Sequence, residues 1–500
     1  MEITQILDKI YILNPGYVLR NDITRAVLAT RDNSSYHSLD VNDVSTILHP
    51  AFAMLLSFFN GSSTLKETLN EVSSYFNISF DGALKTVSKL IDNKSGVAVE
   101  YDGHFFYLPQ NVLIERKVDR TENYRPEDFE IETEVDLEHE RLNKPIYASF
   151  LVSNRCVTDC IYCYADKRRI YDCTIPFPRI LELIDEAKTL GIISFDIQGG
   201  ELFLYKDWDK LLKALYAAGY SVYISTKYPL SEWEIDRLKA TGTKEIQVSL
   251  DSIYGNDLMT NLRVGPGYRD RILKSIEALD KAGIRIKIKG VVTGPIFNYS
   301  RIEEYVNYFD KFTGVEVVEL TAPSHSLYKT AKEFSNYRLR EEQLDSLLEL
   351  AEKEKNRHHF ELRTDIPSRE GYLSKEEKQK SFYARSSCSG NMSSFMILPD
   401  GNVTYCEETY FNPNLMLGNI LESSIMDVWS SERARNLFYL PKSIFPNDSP
   451  CSSCKEFEDC RYSKGICWVD VMAAYGEDKW LYPTPDCPYA PVPLNDIKVW

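Results

Sequence analysis

The chain has 500 residues, 43% of them hydrophobic and 12% aromatic, and a formal net charge of −16. That length predicts about two to four domains with real cores, and the composition excludes a disordered or low-complexity chain. An acidic surface repels phosphate backbones and anionic lipid, so neither nucleic acid nor a membrane is an expected partner.

Residues 1–116 read as short strands, then helices at 51–59, 65–76 and 80–91, then a hairpin of 97–100 with 104–108 that turns at Asp102-Gly103. Three helices and a wing are winged-helix-like. A DNA-binding domain is the plain reading of that pattern. Lys66, Lys85, Lys89 and Lys94 are nevertheless outweighed by acidic and apolar neighbours, too weak a phosphate footprint. Residues 117–144, which alternate acidic with apolar side chains from Glu130 to Glu140, read as a solvated linker rather than an acidic edge strand.

Residues 145–325 alternate strand-like runs (147–153, 193–198, 221–225, 245–250, 284–292, 315–321) with amphipathic stretches such as 179–190, 208–218 and 269–282. Gly191, Gly219 and Gly283 close those helices. The expected fold is α/β, a parallel sheet curled into a partial (β/α)6 TIM-like barrel with functional groups at the C-terminal strand ends. Residues 326–380 read as a helical bridge and 381–500 as a cysteine-rich domain. The start of the chain, Met1-Glu2-Ile3-Thr4-Gln5, lacks a basic segment before an apolar core, and no run of about 18 apolar residues occurs, so a cytoplasmic location is expected.

Eleven cysteines in such a chain point to metal or redox chemistry rather than disulfides. Cys156-Val157-Thr158-Asp159-Cys160-Ile161-Tyr162-Cys163 follows the first core strand. Three thiolates on one loop can hold three corners of a 4Fe-4S cluster and leave one iron open. Zinc is the competing ligand set, but structural zinc sites usually show CxxC pairs and need a fourth donor. This CxxxCxxC, with an aromatic before the third cysteine, resembles the radical S-adenosylmethionine (SAM) superfamily.

After the second strand comes Gln198-Gly199-Gly200-Glu201, where glycines allow close backbone approach and a carboxylate can bind an ammonium group. Alone it is an ordinary strand-to-helix turn; paired with the cysteines, it is similar to the superfamily's segment for the amino group of SAM. The resemblance implies that Ser225, Ser249 and Asp251 hydrogen-bond the ribose or the methionine carboxylate; capping of the following helices is the alternative. It places Tyr164 against the adenine, where simple packing is the rival. Arg263 has an open role, and no barrel side chain stands out as a catalytic acid or base.

Cys388 is followed by twelve residues, Gly401, four residues and Cys406; then come Cys451-x2-Cys454-x5-Cys460-x6-Cys467 and finally Cys487. This resembles the SPASM extension of radical SAM enzymes, except that six residues rather than three precede Cys467. The resemblance implies two auxiliary 4Fe-4S clusters, an outer one on Cys451, Cys454, Cys460 and Cys487 and an inner one on Cys388, Cys406 and Cys467. The inner site would then take a substrate thiolate or a non-cysteine ligand. Cys173 reads as a bystander. Through its fold pattern, and Phe59-Asn60-Gly61 followed by Thr64-Leu65-Lys66-Glu67, the N-terminal unit resembles the RiPP recognition element, which accepts a leader peptide as an added strand.

Taken together, the resemblances imply three 4Fe-4S clusters, SAM, a flavodoxin- or ferredoxin-type electron donor and a ribosomally made precursor peptide as substrate. The expected reaction is an oxidative Cys-to-carbon thioether cross-link, as in sactipeptide and ranthipeptide maturases. Carbon-carbon or carbon-oxygen cross-linking, and maturation of a folded protein as in the sulfatase-activating enzymes, are the enzymatic rivals. A metal-binding winged-helix regulator is the non-enzymatic one.

Overall fold

The computed structural model describes residues 6–31, 45–91, 93–117, 123–365, 380, 382–385, 387–409 and 412–494. The chain divides into two compact units, one of Met1–Ile146 with Thr189–Ser194, the other of Tyr147–Lys188 with Phe195–Trp500. Among the described residues no helix is long and apolar enough to cross a membrane.

In the first unit, β1 (Tyr11–Leu13) precedes an antiparallel sheet of β2 (Tyr17–Asn21), β3 (Ala26–Thr30) and β4 (Ser45–Leu48), in the order β2-β3-β4. All of β3 is buried, as an apolar central strand requires. Helices Pro50–Ser57, Leu65–Phe76 and Phe80–Val87 follow, the first and last ending before the sequence pattern does. Thr64 and Glu67 form a reciprocal capping box at the second, and Asn77 closes it in the left-handed conformation.

The expected hairpin is present as β5 (Val97–Tyr101) and β6 (His104–Leu108), with Asp102 and Gly103 both at positive φ (51° and 77°), the geometry of a tight two-residue turn. A further strand, β7 (Leu113–Glu115), pairs antiparallel with β1. The acidic stretch expected as a solvated linker corrects the sequence reading in part. Residues 118–122 lie outside the described residues, and no strand forms in the remainder. Phe129, however, is buried in the unit's core, and Arg25 donates to the carbonyls of His139 and Arg141. The segment is strapped down because its few apolar side chains find the core and its carbonyls satisfy a buried guanidinium.

In the second unit, β8 (Tyr147–Leu151), β9 (Ser194–Gln198), β10 (Ser225–Thr226), β11 (Glu245–Ser249), β12 (Arg285–Val291) and β13 (Val315–Thr321) take up the six expected strands. β10 is shorter than the apolar run suggested. Two strands were not foreseen: β14 (Glu361–Asp365), parallel to β13, and β15 (Ser394–Ile397), parallel to β8. The helical bridge therefore holds helices Ala331–Tyr337 and Glu341–Glu354 but also a strand, and its residues 366–379 lie outside the described ones.

The strands form two five-stranded sheets, β10-β11-β12-β13-β14 and β17-β16-β15-β8-β9, where β16 (Asn402–Thr404) and β17 (Gly418–Asn419) are antiparallel additions. Among the described residues no ladder joins β9 to β10, and no closed barrel forms. Helices pack their apolar stripes on the sheets: in Trp208–Ala218 the buried residues are Trp208, Leu211, Leu212 and Leu215, one helical face, closed by Gly219 at φ 96°. The β15-β16 hairpin turns at Pro399-Asp400-Gly401, as its sequence requires.

Candidate active site

Cys156, Cys160 and Cys163 occupy the loop after β8, and other strand ends of the unit hold that loop in place. The backbone N–H groups of Asp159 and Ile161 donate to the carbonyls of Leu262 and Asn261, at the end of helix Gly255–Leu262 (2.9 Å each). Arg263, in the left-handed conformation that ends this helix, pairs with Asp159 at 2.8 Å. Thr158 Oγ1 lies 3.4 Å from Cys156 Sγ and 3.2 Å from Cys160 Sγ. Asp251, at the end of β11, has a fully buried side chain. Its carboxylate accepts from the Tyr162 hydroxyl (2.6 Å), Asn261 Nδ2 (3.2 Å) and the Val291 N–H (3.3 Å), and Lys227 Nζ is 3.6 Å away.

Lys227 follows β10 and is the cation of this site. Burial would lower its pKa, but the Asp251 carboxylate and the thiols of Cys160, Cys156 and Cys163 outweigh that, and the net shift is upward. Burial pushes the Cys160 thiol up to about 11 against the pull of Lys227. A cation beside three thiols suits an anionic cluster bound by thiolates.

Gly199 and Gly200 stand close to the backbone that enters the cysteine loop. A Cβ at Gly200 would overlap the Arg155 carbonyl, and one at Gly199 would stand 3.1 Å from the Ser153 carbonyl oxygen. Both glycines thus let this turn approach the chain entering the cysteine loop. Glu201 is buried: its carboxylate accepts from Thr226 Oγ1 (2.8 Å), the Lys227 N–H (3.1 Å) and the Phe203 N–H (3.3 Å), and burial pushes it up to about 7. Ser225 and Ser249 stand side by side with hydroxyls 3.5 Å apart, both accepting from Gln247 Nε2 (2.7 and 3.1 Å). Ser225 is exposed and available to a ligand. Tyr164 donates to Glu407 Oε2 at 3.3 Å, which ties the first cysteine loop to the residue after Cys406.

The C-terminal cysteines fall into two groups. Cys451, Cys454, Cys460 and Cys487 line one cavity, with Phe382, Phe457 and Arg461 among its walls. Cys388, Cys406 and Cys467 share another neighbourhood around Tyr405, whose buried hydroxyl all three thiols push upward after burial itself. Burial raises Cys406 to about 12, with Glu408 and Cys388 adding to the shift. The three extra residues before Cys467 are absorbed by a π-helical turn, Asp459–Lys464, followed by Gly465 at φ 65°. Cys173 stands apart, its thiol directed to the Ile175 carbonyl at 3.9 Å. Among the described residues, no three His, Cys, Asp or Glu side chains converge as a single-ion site needs.

The donor chemistry around the four-cysteine cavity fits an anionic cluster. Arg461 and Arg385 contact the thiols of Cys451 and Cys460, and Arg461 Nη1 and Arg385 Nε are buried without a hydrogen-bond partner among the described residues.

Comparison with known proteins agrees with this geometry. Residues 150–309 match the Radical SAM superfamily, and residues 388–455 match SPASM, an iron-sulfur cluster-binding domain. The chain carries a radical SAM domain followed by a SPASM domain.

The chain is 28% identical over 192 residues to GTP 3',8-cyclase of Clostridium botulinum, covering 37% of this chain and 59% of that one. It is also 25% identical over 146 residues to AlbA of Bacillus subtilis, an antilisterial bacteriocin subtilosin biosynthesis protein, covering 29% of this chain and 32% of the relative. The chain therefore spans little more than half the length of the cyclase. The fold is similar to that of SuiB from Streptococcus suis, solved with S-adenosylmethionine (TM-score 0.60, 16% identity, 95% of this chain and 99% of SuiB). SuiB has also been solved with its precursor peptide SuiA (TM-score 0.59, 16% identity, 96% and 100%).

Several residues of the radical SAM and SPASM domains escaped the sequence reading. Lys227 was visible as the neighbour of Ser225-Thr226, but nothing in sequence says that it points at the cysteines. Tyr162 and Asn261 are known as partners of Asp251 only from the fold. Arg461, directly after Cys460, carried a signal in its adjacency; Arg385 and Asp470 carried a weaker one.

Proposed function

We propose that this protein is a peptide maturase that oxidatively cross-links a ribosomally made precursor peptide, with a Cys-to-carbon thioether as the bond formed. The observation that carries the reading is the placement of the CxxxCxxC loop, the Gly-Gly-Glu turn and the Ser225-Ser249 pair at C-terminal strand ends of a radical SAM domain joined to a seven-cysteine SPASM region. When bound, the cluster on Cys156, Cys160 and Cys163 and its SAM supply a carbon-centred radical able to abstract hydrogen from an unactivated carbon, and the two auxiliary clusters supply an electron acceptor.

The chain's own residues divide the remaining work. Glu201, in its ionised form, holds the SAM ammonium; Ser225 and Ser249 offer hydroxyls to its ribose or carboxylate; Tyr164 borders the adenine. Asp251 fixes Tyr162 and thereby the loop between Cys160 and Cys163. Cys451, Cys454, Cys460 and Cys487 complete one auxiliary site, and Cys388, Cys406 and Cys467 provide three donors of the other. A peptide thiolate as the fourth donor there favours the thioether. Support for a peptide substrate comes from the SuiB fold, seen with a precursor peptide, and from the three-stranded sheet of the first unit, whose β4 edge can accept an extended leader. A flavodoxin- or ferredoxin-type protein is the proposed electron donor.

One observation favours the carbon-carbon or carbon-oxygen alternative. The Asp470 carboxylate, in the first turn of helix Trp468–Tyr475, neighbours the Cys467 thiol, which burial and this carboxylate push up, and it offers a non-cysteine fourth donor for the inner site. Coexpression with a candidate short cysteine-rich peptide, sought among the genes neighbouring the one for this chain, followed by mass spectrometry and thiol alkylation, tests the proposal. Loss of two hydrogens per link with cysteines blocked to alkylation is expected. The same mass loss with alkylatable cysteines moves the assignment to a carbon-carbon or carbon-oxygen bond. An unchanged peptide, without 5'-deoxyadenosine release, overturns the maturase reading.

A further inference from the structure

Two guanidinium groups contact thiols of the group Cys451, Cys454, Cys460 and Cys487, and Arg461 also lines their cavity. Arg461 Nη2 lies 3.0 Å from Cys451 Sγ and also donates to the Tyr482 carbonyl at 3.0 Å. Arg385 Nη2 lies 3.2 Å from Cys460 Sγ and donates to the Gly465 carbonyl at 2.9 Å, while Nη1 donates to the Phe382 carbonyl at 2.8 Å. Aromatic rings hold the guanidinium planes: Phe445 lies 4.9 Å from Arg461, and Phe382 lies 4.0 Å from Arg385.

These contacts would suffice for a purely structural role. What such a role leaves unexplained is Arg461 Nη1 and Arg385 Nε, both buried and without an acceptor among the described residues. Glu456, the carboxylate on the cavity wall, is engaged by the Tyr383 hydroxyl. Two cations, one of them 6% exposed, each against a thiol of this group and each with a spare buried N–H, call for an anion beside these cysteines. A 4Fe-4S cluster with four thiolates is such an anion, and its sulfides and thiolate sulfurs accept hydrogen bonds.

We propose that Arg385 and Arg461 donate hydrogen bonds to the auxiliary cluster held by these four cysteines and raise the potential at which it accepts an electron. The inference rests on the reading that the four cysteines bind such a cluster. One-electron reduction adds one negative charge to the cluster and no proton. A fixed cation and N–H···S bonds therefore favour the reduced form more than the oxidised one. Both arginines are positioning residues: they set the driving force with which the outer site receives an electron released during peptide oxidation.

The test uses the full chain, reconstituted without air and titrated with dithionite under electron paramagnetic resonance. Cys454→Ala should remove about four irons and one signal, which assigns the outer cluster. Unchanged iron in that variant would overturn the cluster reading itself. With the signal assigned, Arg385→Gln and Arg461→Gln should each move its midpoint to more negative potential, the double variant furthest, while the signal lost in Cys156→Ala stays in place. Arg461→Lys, which keeps the charge and loses the spare N–H, should fall between. If Arg461→Gln does not load iron, Arg385→Gln decides alone. An unmoved midpoint in a fully loaded Arg385→Gln overturns the proposal and leaves the cluster reading standing.

Discussion

At Gly200 and Glu201 two neighbouring residues serve the site by different physics. Gly200 is required by contact, since any side chain there would press on the Arg155 carbonyl at the mouth of the cysteine loop. Gly200→Ala should therefore cost about four irons per chain on reconstitution, while Gly199→Ala, whose Cβ would make a tight but smaller conflict at 3.1 Å from the Ser153 carbonyl oxygen, should lose less; iron analysis of the two variants is the check. Glu201 acts through its charge, and burial pushes its carboxyl up from its ordinary 4.5 to about 7. Between those values the folded protein binds more protons than the unfolded chain, so this group's contribution to stability is present at low pH and is lost as pH rises to about 7. Ammonium binding needs the ionised form and has the opposite dependence. SAM affinity should fall about tenfold per pH unit below 7, and Glu201→Gln should bind weakly without that dependence, as calorimetry across pH would show.

Between elements, Asp251 is the joint. Its carboxylate holds Tyr162 from the cysteine loop, Asn261 from helix Gly255–Leu262 and the Val291 N–H at the end of β12, and it balances Lys227. Asp251→Ala leaves a buried cation and several donors without an acceptor and should destabilise the protein by about 3–5 kcal/mol. Adding Lys227→Met should recover part of that loss. Thermal unfolding of the single and double variants gives the comparison. If the double variant unfolds no later than the single one, the lysine and the aspartate are not coupled as described.

For the whole molecule, the formal charge of −16 sets which partners can approach. A labelled DNA duplex should show no shift with the full chain at physiological ionic strength, an outcome that separates a peptide-binding first unit from a DNA-binding one. A retarded complex that weakens with added salt would favour the regulator instead.

Much of this protein was legible in its sequence where the determinants are local. Spacing put Cys156, Cys160 and Cys163 on one loop; alternating patterns gave six strands of the core; Thr64 with Glu67, Asp102-Gly103 and Pro399-Asp400-Gly401 marked a cap and two turns. Each of these is set by residues a few positions apart. Tertiary structure alone decided that β14 and β15 join the sheets, since Glu361–Asp365 is charged and both strands are stabilised by partners distant in sequence. It alone placed Lys227 against the cysteine loop, set Arg461 and Arg385 against the thiols of Cys451 and Cys460, and left one N–H of each arginine without an acceptor among the described residues. Burial and long-range electrostatics depend on which surfaces meet, and a linear pattern does not encode that.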